Sequence, residues 1–115
     1  NGIQLFERKT NRFYYFEIPI VYNKGNQVAY DVRQIAEDPD GNIWIVTRGG
    51  GVFRLQIPDS WRSALPDSQN LSKIVKLSPV SFPVPEKAVP GWIEEFKCIL
   101  MAKDGYVLIG TSVNN

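Results

Sequence analysis

Histidine is absent from this chain of 115 residues. Its absence removes the usual general base, the usual zinc ligand and the side chain that titrates near neutrality. Cysteine occurs once, as Cys98, so no disulfide can form within the chain and its redox compartment is unmarked. An excess of either charge is missing too. Thirteen basic residues against twelve acidic ones leave a net charge of +1, without any block of one sign. Nothing in that balance favours nucleic acid or an anionic membrane as a partner of this segment. Long apolar runs are also lacking: Ile43–Val46 is typical in length, against the roughly 20 residues that a membrane-spanning helix needs. The first residues, NGIQLFERKT, carry neither the charged nor the apolar part of a signal peptide, and no initiator methionine precedes them. The chain therefore reads as part of something longer, and any contact with a membrane is expected only through other parts of that parent.

What is present is ordinary globular composition, 43% hydrophobic and 22% charged, arranged as a repeat. The stretch EDPDGNIWIVTRGGG from Glu37 aligns without gaps on MAKDGYVLIGTSVNN from Met101. Asp40-Gly41 falls on Asp104-Gly105, Ile45 on Ile109 and Thr47 on Thr111, and upstream Ile35 falls on Ile99. A second half-unit precedes it: NGIQLFER resembles GGVFRLQI, with Gly2 on Gly51 and Ile3 on Val52. The offset from Gly2 to Gly51 is shorter than that from Glu37 to Met101. The unequal offsets place an insertion in the second unit.

Each piece reads as a short strand. DVRQIAE and NIWIVTR are joined by Pro39-Asp40-Gly41, a strong hairpin signal because glycine takes positive φ freely. GVFRLQI is a third strand after the glycine run, and SKIVKLS, Ser72–Ser78, is expected as the fourth. Four antiparallel strands in a unit of about 50 residues is the pattern of a β-propeller blade. The expected fold is all-β, a propeller fragment with one complete four-stranded blade flanked by two half blades. Residues 1–18 supply the outer half of one blade, 31–78 the complete blade with an insertion at about 58–71, and 93–115 the inner half of the next. Residues 79–92 read as a proline-rich connecting loop. Half blades leave strand edges open, so the chain by itself is expected to self-associate.

These residues resemble the two-component regulator propeller repeat, whose signature runs roughly "I..I.ED..GN.WIGT..GGL.R". Here it reads VRQIAEDPDGNIWIVTRGGGVFRL, and the later copy keeps Ile-Gly-Thr. The first copy departs from the signature at Val46, where glycine is usual, and the later one at Leu108, where tryptophan is usual. The resemblance implies the extracytoplasmic, periplasmic sensor of a hybrid histidine kinase. Such sensors place propellers ahead of a membrane helix and a kinase, and many detect glycan fragments. A small-molecule or oligosaccharide ligand, adjacent blades and a homodimeric parent are the partners it implies. Two alternatives remain open: a lyase-like or glycosidase-like propeller enzyme with its catalytic residues elsewhere, and a protein-interaction scaffold.

Candidate site residues follow from loop position. Arg48, Trp61 and Trp92 are the candidates for ligand contact, although packing of the inserted loop is the stronger reading of the two tryptophans. Trp44, mid-strand at a repeat position, reads as a residue packed between blades. Glu37, Asp38 and Asp40 read as turn chemistry, because a calcium loop needs a ladder of spaced oxygens that EDPDGNIW does not offer. Gly49–Gly51 lead into a strand and not a helix, which excludes a phosphate loop of the P-loop kind. Cys98 lies in the apolar stretch FKCILM, where an inert, buried thiol is expected. Without histidine no nucleophile has a recognisable base, so no catalytic residue, no metal and no cofactor is expected. RFYYFEI places Phe13 and Tyr15 on one face and Tyr14, Phe16 and Ile18 on the other. That is either an outer strand packed on both sides or one with an apolar face left for a partner.

Overall fold

A computed structural model describes residues 2–18, 22–23, 26–27, 31–48, 50–80 and 96–111. Its regular elements are strands and two short 3-10 turns. Strands β1 (Gly2–Glu7) and β2 (Arg12–Glu17) form an antiparallel pair, and β3 (Tyr22–Asn23) with β4 (Asn26–Gln27) forms a minimal one. Four strands, β5 (Asp31–Glu37), β6 (Ile43–Arg48), β7 (Val52–Leu55) and β8 (Leu77–Val80), then follow as an antiparallel meander in chain order. A last pair joins β9 (Phe96–Met101) to β10 (Val107–Thr111). The architecture is all-β, one complete blade with half a blade against each of its faces.

Two cores join the β1–β2 pair, the central blade and the β9–β10 pair. Tyr14, Phe16 and Ile18 of the first pair are buried against Ile45, Phe53 and Leu55 of the central blade. On the other face Val46 and Val52 are buried against Phe96 and Ile99. Successive residues of a strand point to opposite faces, so Ile43 and Ile45 serve the first core while Trp44 and Val46 serve the second. A strand covered on both sides has no solvent face to make polar. This is why Ile43–Val46 is an unbroken apolar run and not an alternating one.

The repeat register that sets Glu37 on Met101 recurs in the backbone itself. Asp38 N–H donates to the Asn42 carbonyl at 2.9 Å, and Ala102 N–H donates to the Tyr106 carbonyl at 2.9 Å. Gly41 and Gly105 take φ of 84° and 80°. Even the irregularity repeats: the ladder of β5 and β6 skips Arg33, and that of β9 and β10 skips Lys97. Aligned residues do not share burial, however. Ile99 is 4% exposed and Ile35 47%.

Three expectations are corrected. The fourth strand lies at Leu77–Val80, not Ser72–Ser78. Leu71, fully buried in the first core, anchors a turn in which its carbonyl accepts the N–H groups of Ile74 and Val75, so the chain cannot extend before Leu77. Pro79, expected in the connecting loop, sits inside β8. This is the outer edge strand, where a missing N–H disrupts no second ladder. Cys98 is exposed and not buried: it lies on the face of β9 opposite Phe96 and Ile99. On β2 the two faces differ: Tyr14 and Phe16, with Ile18 just beyond the strand, are buried, while Phe13 and Tyr15 are exposed.

Candidate functional site

The central blade has two ends with different chemistry. At one end β6 runs into β7 through a glycine turn that Thr47 pins. Thr47 is fully buried, and both its N–H and its Oγ1 donate to the Gly51 carbonyl, at 3.1 and 2.6 Å. Its Oγ1 also accepts the Gly50 N–H at 3.1 Å. Gly51 takes φ 90°, which a side chain would strain. These bonds tie Thr47 to Gly50 and Gly51 beside Arg48, which is exposed at the end of β6 opposite Asp31. Arg33, the residue skipped in the β5 ladder, pairs loosely with Asp31 at 3.9 Å, both side chains being exposed. Bulges re-aim a side chain, and the same register on β9 carries Lys97. By register, Arg33 on β5 and Lys97 on β9 hold one repeat position, and Arg48 closes β6 opposite Asp31. Gln34 bridges β5 and β9: its Oε1 accepts the Ile99 N–H at 2.8 Å.

The opposite end is built around Asp38. Its carboxylate accepts the N–H groups of Asp40 and Asn42 at 2.9 Å each, the Asn42 side-chain amide at 3.1 Å and the Trp44 indole N–H at 2.9 Å. Burial pushes the Asp38 pKa up, but these donors outweigh it, the indole foremost, and hold it below its ordinary value. A carboxylate so engaged is the organiser of a turn and has little left to offer a metal or a proton-transfer step. Among the described residues, no group of three or more histidine, cysteine, aspartate or glutamate side chains is placed to hold a metal ion. Trp44 itself packs on the second core, as its repeat position implies.

Of the three candidates, Arg48 stands at the glycine-turn end. Trp61 lies on the 3-10 turn Asp59–Arg62, half-buried against the first core. The neighbouring Arg62 guanidinium comes within 3.1 Å of where a side chain on Gly41 would begin, which fixes this turn at the Asp38 end. Arg48 and Trp61 are thus not brought together. Trp92 falls outside the described residues; the chain leaves β8 at the Arg48 end, where Val80 pairs with Val52. Sequence reasoning passed over Arg33 and Lys97, though the register that sets Ile35 on Ile99 also sets one on the other, and that was a signal. The Asp38–Trp44 bond left a signal too. The later copy replaces both partners at once, with Ala102 and Leu108.

The family model for the two component regulator propeller matches residues 27–49, from β4 through β6 to the glycine turn. That stretch is similar to the regulator-propeller repeat. The match spans the Asp38 turn, Trp44 and Thr47, the residues that shape both ends of the repeat. No curated protein and no solved structure matches the chain.

Proposed function

We propose that this chain belongs to the ligand-sensing propeller of a two-component signalling protein, in which ligand binding controls a histidine kinase output. The observation that carries the reading is the regulator-propeller repeat at residues 27–49, set in a blade with a second copy of the unit behind it. The role is one of binding and not of catalysis, in keeping with a sequence that lacks histidine. The ligand end is the glycine-turn end, where Arg48 closes β6 and Arg33 and Lys97 hold one repeat position on β5 and β9; Trp92, outside the described residues, is the aromatic candidate from the sequence. Basic side chains with an aromatic suit a carbohydrate, and an acidic oligosaccharide above others. Such a sensor works by population shift: ligand favours one arrangement of propeller and dimer, and that preference passes from the periplasm across the membrane to a kinase.

Titration of the intact sensor with neutral and acidic oligosaccharides, followed by tryptophan fluorescence and kinase autophosphorylation, tests this. Arg48→Ala and Trp92→Phe are expected to weaken binding, while Trp61→Phe leaves affinity unchanged. A sensor whose output ignores every oligosaccharide, with wild-type behaviour in all three variants, would refute the glycan reading. Hydrolytic or eliminative turnover of the sugar would favour the enzyme alternative instead.

A further inference from the structure

The segment that connects β7 to β8 does more than return the chain. It reaches back to β2 and lies along its outer edge. Tyr15 N–H donates to the Gln69 carbonyl at 2.9 Å, and Leu71 N–H donates to the Tyr15 carbonyl at 2.8 Å, closing a parallel bridge between Tyr15 and Asn70. Glu17 N–H donates to Ser72 Oγ at 3.2 Å, the Gln69 side-chain amide donates to the Phe13 carbonyl at 3.3 Å, and Arg12 donates to the Asp67 carbonyl at 2.7 Å. Every second residue of β2 is satisfied in this way from one short run of chain. Leu71 then inserts its side chain among Tyr14, Phe16 and Ile18, with no exposed surface left.

Main-chain bonds along an edge, with one buried side chain as anchor, are the two ingredients of strand-addition recognition. We propose that the outer edge of β2 is a strand-accepting site, occupied in cis by Gln69–Ser72, through which the central blade latches onto the half blade before it. The latch fixes the angle between the two sheets. It also withholds from a second copy of the chain an edge that would otherwise template pairing.

Amide hydrogen exchange tests the latch. Leu71→Ala is expected to speed exchange at Tyr15 about thirty-fold or more, while Ile45 and Phe53 in the central sheet stay near wild-type rates. Leu71→Met should retain protection. In a variant with residues 67–73 replaced by a glycine-serine linker, a synthetic peptide spanning Asp67–Val75 should restore Tyr15 protection, and the same peptide with Leu71→Asp should not. Unchanged Tyr15 exchange in Leu71→Ala would overturn the proposal. So would acceleration shared equally by all sheets, or a folded linker variant that ignores the peptide. If the linker variant does not fold, the exchange pattern of Leu71→Ala decides.

Discussion

Asp38→Ala tests how the first turn of the repeat is held. The carboxylate carries four hydrogen bonds, two from backbone amides and two from side chains. Removing a side-chain acceptor that satisfies turn amides costs about 1 kcal/mol, because water replaces it in part. The indole bond is charge-assisted and half-buried, and its loss adds about 1.5 kcal/mol. The expected total is about 2–3 kcal/mol in urea unfolding. Trp44→Phe deletes the donor while keeping a ring in the second core, so the double variant isolates the bond. A coupling of about 1 kcal/mol between positions 38 and 44 is expected.

The same pair sets a pH dependence. The folded pKa of Asp38 lies below its ordinary 3.8. Its stabilising share is therefore present above that ordinary value and is lost as pH falls through the lower folded one. Trp44→Phe removes a cause of the lowering and should bring the acid loss to higher pH. A coupling indistinguishable from zero, or a pH profile indifferent to both substitutions, would refute the reasoning.

Three further outcomes follow from packing. Trp44→Ala should cost about 3 kcal/mol, the low end for a large aromatic truncation because the ring is only half-buried; a melting curve that hardly moves would mean the ring contributes nothing to the second core. Gly110→Ala brings a Cβ to 2.5 Å from Cys98 Sγ, but the exposed thiol can turn away, so it should cost no more than about 1 kcal/mol, with recovery when Cys98→Ala is added; a larger loss, or failure of that rescue, would point away from the thiol contact. Phe6 and Phe13, with ring centroids 4.7 Å apart, and Leu100 and Leu108 on the other half blade are exposed. By register Phe6 answers to Leu55 and Leu108 to Trp44, both of which pack on a neighbouring sheet, so the chain should self-associate in sedimentation and Phe13→Lys with Leu108→Lys should reduce it. A monomer at every concentration would contradict this.

Much of the blade was legible because its information is local. Asp-Gly at matching places sets the two hairpins, since a positive φ at Gly41 and Gly105 depends on the residue and little else. Once one hairpin was read, the repeat register carried its strands and its turn onto the second, while the skipped residue of each ladder was visible only in the backbone pairing. The aromatic alternation in RFYYFEI separated the faces of β2, but it did not say which would be covered. The Asp38–Trp44 bond was readable in principle from their joint replacement, yet spacing alone shows no hydrogen bond.

The sequence by itself determined the all-β class, the repeat and its hairpins. Tertiary structure decided what the segment between β7 and β8 does. Gln69–Ser72 pairs with β2, a strand far earlier in the chain, and no local pattern encodes a partner at that distance. Because Leu71 is taken into the core of the neighbouring sheets, the turn after it consumes Ser72–Ile74, and the fourth strand is displaced onto Leu77–Val80 and over Pro79. Burial was decided at the same level. Ile35 and Ile99 hold one register position, but only Ile99 meets a neighbouring sheet, and an apolar side chain leaves water only where another surface covers it.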